Sequence, residues 1–540
     1  MHYCIKLSGT QGDGVDTVGE ILALALHAAG YWVYAYRNFS SRIRGGYSSH
    51  EIVIADSPVR AKKQHPDVLV CIGEDGWSRD AQTVSDSSLV LADTSLHLAA
   101  SAQCFSLPFT DTARAASQVQ HKWIVALGAV GALLGLAESE LEVPVAAALA
   151  HKGEGIIAGN LRALKAGYVL APHLVLPLPP PSQGTRLEAR RLVSGVQAVA
   201  EAALACGCDF TAGYPISPAT GVFEHLARHL PVGRAVQTED EIAAVDMAIG
   251  ASYAGATALV ATSGPGLSLM IEGIGLAFAT KTPLVIVNGQ RSGPSTGMPT
   301  KHEQSDLALA LAGGHGDVSA PVFCPSSVEE IYTDLPAAFH AAELYRTPVI
   351  FLTDLGLMLA RASMHPVTID ATPIRNAKEG RVIPGISGKM FHVSGNQMGA
   401  TGLPTEMPAQ RQAQFSARLK MIPSELPSGL TYIEGGEELL VIAIGSTRGA
   451  VEAAVANFPG RVSAVFPRVL KPFPTKALAA LLTRHKKYLI LDANATGQLL
   501  QIFRSHFACH ERFVSRFRYD GEPFMPAEVA KYIAEVLAND

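Results

Sequence analysis

The sequence predicts an α/β fold of three units, each with a largely parallel sheet, and three observations lead there. Short apolar strands alternate with helical stretches along most of the chain, the order that yields parallel sheets covered by helices. Glycine-rich turns stand where strand gives way to helix, as in "GTQGDG" (Gly9 to Gly14) and "TSGPG" (Thr262 to Gly266). The 540 residues are 48% hydrophobic and 17% charged, with 49 glycines, which suits well-covered layers rather than disorder. That length fits about three domains of roughly 150 residues each.

The first unit opens with the strand "YCIKLSG", the glycine loop, the helix "VDTVGEILALALHAAG" and a second strand, "YWVYAYR". This is the strand–loop–helix–strand order of a nucleotide-binding-like layer. "DVLVCIG" and "SLVLAD" continue the alternation. The apolar run from Trp123 to Ala137 closes at Glu138, short of the roughly 18 residues a membrane span needs, and reads as a buried helix. Five prolines between Pro172 and Arg186 mark a semi-rigid spacer, so the first domain is expected over 1–180.

The second unit, 187–370, starts with the helix "GVQAVAEAALACG" and the strand "DFTAGYP". "EDEIAAVDMAIGASYAG", "ATALVATSG", "LSLMIEGIGLAFATK", "PLVIVNG" and "PVIFLTD" then alternate helix and strand. From 371 to 434 the pattern fades, which predicts a connecting arm. The third unit, 435–540, restarts with "ELLVIAIGS", "RGAVEAAVANF", "RVSAVFP" and "KYLILDAN".

A net charge of −5 gives no global reason to expect nucleic acid or an anionic membrane as partner. The start runs straight into a strand, without a secretory or transit signal, and predicts a cytoplasmic protein. Seven scattered cysteines form no C-x-x-C, so neither an iron–sulfur cluster nor a structural zinc is expected in this chain.

Four stretches carry candidate chemistry. "AGYPISPAT" (Ala212 to Thr220) ends an apolar run, and Pro215 and Pro218 hold it extended by restricting their own φ and the residues before them. "QTEDEIAAV" places Glu241 three residues after Thr238, which reads as a capping box, or as a buried carboxylate with a raised pKa. In "TSGPGLSLM", Gly264 and Gly266 permit close backbone approach at a helix start. "GQRSGPSTGMPTKHEQSDL" (Gly289 to Leu307) gathers Arg291, Ser295, Thr296 and Thr300 at a strand's C-terminal end, where open α/β sheets bind ligands. Arg291 there suits a bidentate clamp on a carboxylate.

"GTQGDG" is not G-x-G-x-x-G, and no acid ends the second strand, which argues against a dinucleotide site. Asp13 with Asn38 has the spacing of a thiamine-diphosphate magnesium motif, but in the wrong setting. "RNFSSRIRGG" (Arg37 to Gly46, with Arg42 and Arg44) reads either as an anion-binding loop or as a solvated one.

Together, "GYPISPAT", "EDEIAA", "TSGPGLSLMIEGIGLA" and "GQRSGPSTGMPTKHEQSDL" resemble the α subunit of 2-oxoacid:ferredoxin oxidoreductases, of the 2-oxoglutarate synthase type. The first unit resembles that family's γ subunit, fused ahead of α, and the third, with "GSTRGA" and "LKPFP", its transketolase-C-like domain. The second then corresponds to the pyrimidine-binding domain. The resemblance implies thiamine diphosphate shared with a β subunit, Mg2+ and [4Fe-4S] on that subunit, CoA as co-substrate and ferredoxin as electron acceptor, in an (αβ)2 assembly.

Carried over by position, Glu241 is the catalytic glutamate on the pyrimidine N1′. Ser217, Thr220, Arg291 and Thr300 bind substrate, and Tyr214, Pro215, Ile216, Ser263, Gly264, Pro265 and Gly266 bind cofactor; no metal ligand is expected in this chain. Ser217 replaces the family's usual threonine, the glycine loop departs from G-x-G-G-Q-G, and the arm's "GNQMGA" replaces an acidic-histidine pattern. The implied reaction is oxidative decarboxylation of 2-oxoglutarate to succinyl-CoA. Three alternatives remain: a family member acting on pyruvate or another 2-oxoacid, a non-catalytic scaffolding subunit, and a self-sufficient decarboxylase using Asp13 and Asn38.

Overall fold

The computed structural model describes all residues except 1, 43, 99–102, 175, 177, 180–189, 387–402, 428, 509–511 and 539–540. Two compact units result: 1–193 with 360–366, and 194–359 with 367–540.

In the first unit the strand His2–Thr10 lies parallel to Val68–Cys71, which leads through Leu89–Asp93 to Cys104–Leu107. The other side differs from the expected layer. The strand Tyr47–Ala55 inserts between His2–Thr10 and Trp32–Phe39 and runs antiparallel to both. Its Ser48, Ser49, His50 and Glu51 are all buried, so the stretch shows neither alternation nor an apolar run and has no strand signature in the sequence. Arg361–Met364 returns from far along the chain to pair with Trp32–Phe39.

The apolar run becomes the helix Lys122–Leu133, buried over most of its length. It packs backbone to backbone on Glu154–Leu170. A Cβ on Gly128 would lie 2.1 Å from the Leu164 carbonyl oxygen, and one on Gly167 would lie 2.0 Å from that of Val125. Among the described residues no helix is long and apolar enough to cross a membrane.

The second unit contains two sheets. One runs in the order 469–471, 322–323, 348–354, 284–290, 258–262, 210–213, 235–237, and is parallel except at its 469–471 edge. The other runs 430–433, 462–467, 439–442, 487–492, 513–517, parallel except at 430–433. A single apolar core joins them: Leu267, Ile274 and Ile286 belong to the same cluster as Ile442, Tyr488 and Phe503. The stretches 187–370 and 435–540 thus share a core, and Val469–Lys471 of the second completes the sheet of the first.

The arm contains two helices, Thr372–Glu379 and Pro408–Lys420. "GNQMGA" lies outside the described residues. Behind the first helix, Arg381 donates to both Glu343 oxygens and to the carbonyls of Ser252 and Ala256. The second helix is exposed except at half-buried Phe415, whose ring meets that of Phe278, and at Arg418, which donates to the carbonyls of Tyr345 (2.7 Å) and Phe278 (3.3 Å), at the ends of two helices.

Candidate active site

Parallel strands send all their C-terminal ends to one edge. In the seven-stranded sheet Gly213, Gln237, Thr262 and Gln290 end adjacent strands, and the candidate loops leave from there. The candidate residues expected at a strand-end edge lie at this one.

In the turn after Gly213, the N–H groups of Ala219 and Thr220 both donate to the Ile216 carbonyl, at 2.9 and 3.0 Å. The Ser217–Pro218 peptide is cis, and Pro218 is buried against Gly289, where a Cβ would meet its ring at 2.8 Å. Ile216, Ser217 and Thr220 are half-buried, with Thr220 opening the helix Thr220–His229. Tyr214 (43% exposed) and Pro215 stand on the rim.

Glu241 is the first residue of the helix Glu241–Tyr253 and is 5% exposed. The capping box expected from Thr238 and Glu241 is not formed. Asp240 is the N-cap and accepts from the Ala243 N–H at 2.8 Å, while the Thr238 hydroxyl donates to the Asp240 carbonyl. With the cap supplied by its neighbour, Glu241 turns its carboxylate under Gly266. A Cβ on Gly266 would lie 2.1 Å from Thr262 Oγ1, 2.6 Å from Glu241 Cγ and 2.7 Å from Glu241 Oε1. Burial raises the Glu241 pKa above the ordinary carboxylate value and Asp240 adds to the rise; a backbone hydrogen bond and Arg291 oppose it.

Ser263 is fully buried and donates to the Gly289 carbonyl at 2.8 Å, tying the 263–266 loop to the neighbouring strand. Pro265 follows Gly264 in the first turn of the helix Gly264–Leu269. Arg291 is 6% exposed and donates through Nη1 to the Ser217 carbonyl at 2.8 Å, while its buried Nε has no partner among the described residues. The loop beyond it folds back on itself: the Ser292 N–H donates to the Lys301 carbonyl (2.9 Å) and the Met298 N–H to that of Ser292 (3.1 Å). The structure brings together Glu241, Ser263, Gly264, Gly266, Arg291 and the backbone of Ser217. Thr300 is half-buried at the far end of the loop.

Several residues of this edge were not singled out from the sequence. The Asp306 carboxylate stands over Gly264, where a Cβ would lie 2.5 and 2.7 Å from its oxygens. Asn288 Nδ2 donates to it at 3.0 Å. Gln304 Nε2 donates to Asp354 Oδ2 (2.8 Å) and to the Ile444 carbonyl (3.0 Å), joining the loop to both sheets. His302, fully enclosed, has neither ring nitrogen hydrogen-bonded among the described residues, and burial lowers its pKa. Gln304 and Asp306 lie inside "KHEQSDL", and the signal for them was position at a strand end.

The first unit has its own cavity of about 830 Å3, lined by Gly12, Gly14, Trp123, Lys152, Gly153 and Arg162 among others. Gly14 and Gly153 precede the helices Val15–Ala28 and Glu154–Leu170 with positive φ, and neither helix has a side-chain cap. The Trp123 Nε1–H is buried and has no partner among the described residues. Asp13 is paired with Lys122 at 2.7 Å, and Asn38 lies on the strand opposite Ser49. Arg42 and Arg44 are exposed, and Arg37 lies over the Phe39 ring. Among the described residues no three His, Cys, Asp or Glu side chains gather as a metal site.

Residues 201–415 match the family profile "Pyruvate flavodoxin/ferredoxin oxidoreductase, thiamine diP-bdg", and residues 4–170 match "Pyruvate ferredoxin/flavodoxin oxidoreductase". A 2-oxoglutarate synthase subunit KorA from Archaeoglobus fulgidus is 34% identical over 351 residues, covering 63% of this chain and 98% of its own. A 2-oxoglutarate oxidoreductase subunit KorA from Mycobacterium tuberculosis is 28% identical over the whole of this chain and 92% of its own. The structure resembles that of a 2-oxoglutarate:ferredoxin oxidoreductase from Magnetococcus marinus with 2-oxoglutarate, coenzyme A and succinyl-CoA bound. That match has a TM-score of 0.88 and 28% identity, and covers 99% of both chains. With a relative above 30% identity matched over nearly its full length, the chain belongs to the 2-oxoacid:ferredoxin oxidoreductase family.

Proposed function

We propose that this chain is the fused γ–α subunit of a cytoplasmic 2-oxoglutarate:ferredoxin oxidoreductase. The complex decarboxylates 2-oxoglutarate oxidatively, transfers the succinyl group to CoA and reduces ferredoxin. A β subunit completes it as (αβ)2, bringing the diphosphate site with its Mg2+ and a [4Fe-4S] cluster. Within the chain, 1–180 acts as the γ-like domain, 187–370 as the pyrimidine-binding domain, 371–434 as the arm and 435–540 as the transketolase-C-like domain. Relatives named for 2-oxoglutarate favour that substrate over pyruvate.

One observation carries the catalytic assignment: a buried carboxylate, Glu241, lies against a glycine turn beside a buried arginine whose Nε has no partner among the described residues. The glycine turn at Gly264 and Gly266, on which the Glu241 carboxylate closes at the strand-end edge, suits the aminopyrimidine half of thiamine diphosphate. When bound, that cofactor supplies the electron sink for loss of CO2. Glu241, whose pKa burial raises, would share a proton with the pyrimidine N1′ of the bound cofactor. Arg291 binds the substrate carboxylate, and Ser217 and Thr220 present hydroxyls from the turn at the same edge. In the first unit, the uncapped helix starts and the Trp123 N–H suit the phosphates of CoA.

Glu241→Gln in the reconstituted complex tests this reading. The expected result is loss of 2-oxoglutarate decarboxylation, by about 100-fold or more, with a one-electron acceptor. Undiminished turnover leaves the chain a scaffold. Turnover by the purified chain alone overturns dependence on a β subunit.

A further inference from the structure

The pocket at this edge has to admit an anion, yet its own carboxylates outnumber its cations. Arg291 is flanked electrostatically by Glu241 and Asp306, and Asp306 also faces Glu303. Asp240 adds a further acid beside Glu241. The other groups nearby do not redress the balance. Lys301 pairs with Glu522 at 3.2 Å, buried His302 is held neutral beside Asp354, and Asn288 and Gln290 carry no charge. A second carboxylate placed beside Arg291 therefore meets net negative charge, and one of the acids has to lose its charge for it to bind well.

Geometry selects Asp306 among them. Its carboxylate is pressed against the Gly264 backbone on one side and receives Asn288 Nδ2 on the other. Its own N–H donates to Gln290 Oε1 at 3.1 Å, which fixes it between two strand ends. Asn288 at its carboxylate and Gln290 at its backbone N–H are neutral amides, and among the described residues no ion pair within 4.0 Å holds it ionised. Burial raises its pKa, while the Asn288 hydrogen bond and Arg291 restrain the rise. Glu241, across the same loop, is committed to the cofactor side.

We propose that Asp306 is a positioning residue that takes up one solvent proton as the carboxylate of the 2-oxoacid docks beside Arg291, and so sets how tightly anionic substrates bind. The proton passes from water or buffer to an Asp306 oxygen; Arg291 stays charged, and no other bond changes. The inference rests on the assignment of Arg291 as the carboxylate site.

The test is calorimetric titration of 2-oxoglutarate into the αβ complex freed of thiamine diphosphate, in buffers of different ionisation heat. Wild type is expected to take up a proton on binding, and its affinity to fall with rising pH, by up to about tenfold per pH unit, above the ordinary carboxylate range. In Asp306→Asn the uptake disappears and the affinity becomes flat with pH. Uptake that persists in Asp306→Asn overturns the proposal. So does wild type that binds without uptake, a measurement that needs no variant to fold. Arg291→Lys serves as the separate arm: unweakened binding there overturns the carboxylate-site reading itself, whatever the Asp306 result.

Discussion

Replacing Gly266 with alanine tests the packing that brings Glu241 to the cofactor edge. The added Cβ would stand 2.1 Å from Thr262 Oγ1, against about 3.4 Å for an ordinary contact, so something must yield by about 1.3 Å (3.4 − 2.1). Thr262 is fully buried at the end of a central strand and has little freedom to move. Glu241, with its Cγ 2.6 Å and its Oε1 2.7 Å away, is the side chain free to swing. Overpacking of this kind costs about 1–3 kcal/mol of stability, and displacing a reacting group by about 1 Å costs roughly 100-fold in rate. Gly266→Ala should therefore lower kcat for 2-oxoglutarate decarboxylation by about 10- to 100-fold, with a modest fall in Tm. Gly250→Ala is the control, because it lies in the same helix as Glu241 with nothing within 4 Å of its Cβ position. There, relief of helical glycine should add about 0.5–1 kcal/mol and leave turnover unchanged. A Gly266→Ala complex turning over at the wild-type rate would refute the close approach on which the Glu241 assignment depends.

Further outcomes follow from the same contacts. Because the native Glu241 carboxyl keeps its proton above the ordinary value of 4.5, the native state binds more protons than the unfolded state just above that pH. Stability from this group is thus lost as pH rises through the window. Glu241→Gln should gain in Tm relative to wild type as pH rises from 4.5 toward neutrality; a difference that is constant with pH counts against a buried, proton-holding Glu241. Arg291→Lys should raise KM for the 2-oxoacid by about 10- to 100-fold, because an ammonium cannot reproduce the guanidinium fork, and an unchanged KM removes Arg291 from the substrate site. Arg418→Leu strips the donor from the Tyr345 and Phe278 carbonyls, at about 1–3 kcal/mol for each buried group left unpaired. Limited proteolysis should then cut near 408–420 well before the rest of the chain, and an unchanged pattern shows the helix is held some other way.

How much of this was legible in the sequence depends on the kind of physics each element uses. The strands Ala258–Thr262, Leu284–Gln290 and Pro348–Asp354 are apolar over most of their length because both faces are covered, so hydrophobic runs alone find them. Parallel topology then puts the candidate loops on one edge without further information. Tyr47–Ala55 escapes because its burial is polar: Tyr47 and Ser8 both hydrogen-bond to Asp80, which also pairs with Lys6 at 2.7 Å. Pro408–Lys420 escapes because it docks through one buried arginine and a single aromatic, Phe415, too little to make an apolar period. Thr238 and Glu241 have capping-box spacing, but Asp240, two residues nearer the helix, is the N-cap and takes the Ala243 N–H instead. That competition frees Glu241 for chemistry, and no spacing rule decides it.

The edge also has to satisfy two demands that conflict. A carboxylate that keeps its proton needs burial and the absence of a close cation, whereas a substrate carboxylate needs a cation that is not already neutralised. Put side by side, an acid and an arginine pair with each other and serve neither purpose. Here the glycine loop at 263–266 separates the two requirements. Glu241 lies under Gly266, Asp306 stands over Gly264, and Arg291 is held away from both by its bond to the Ser217 carbonyl, so that its charge is felt at a distance rather than spent in a contact. Only residues without a side chain let two carboxylates approach one stretch of backbone this closely. The Pro218 turn matters for the same reason: packed on Gly289, it presents the Ser217 carbonyl to Arg291, and a neutral acceptor orients a guanidinium without cancelling it. A carboxylate in place of that carbonyl would orient Arg291 equally well and abolish its use for binding an anion.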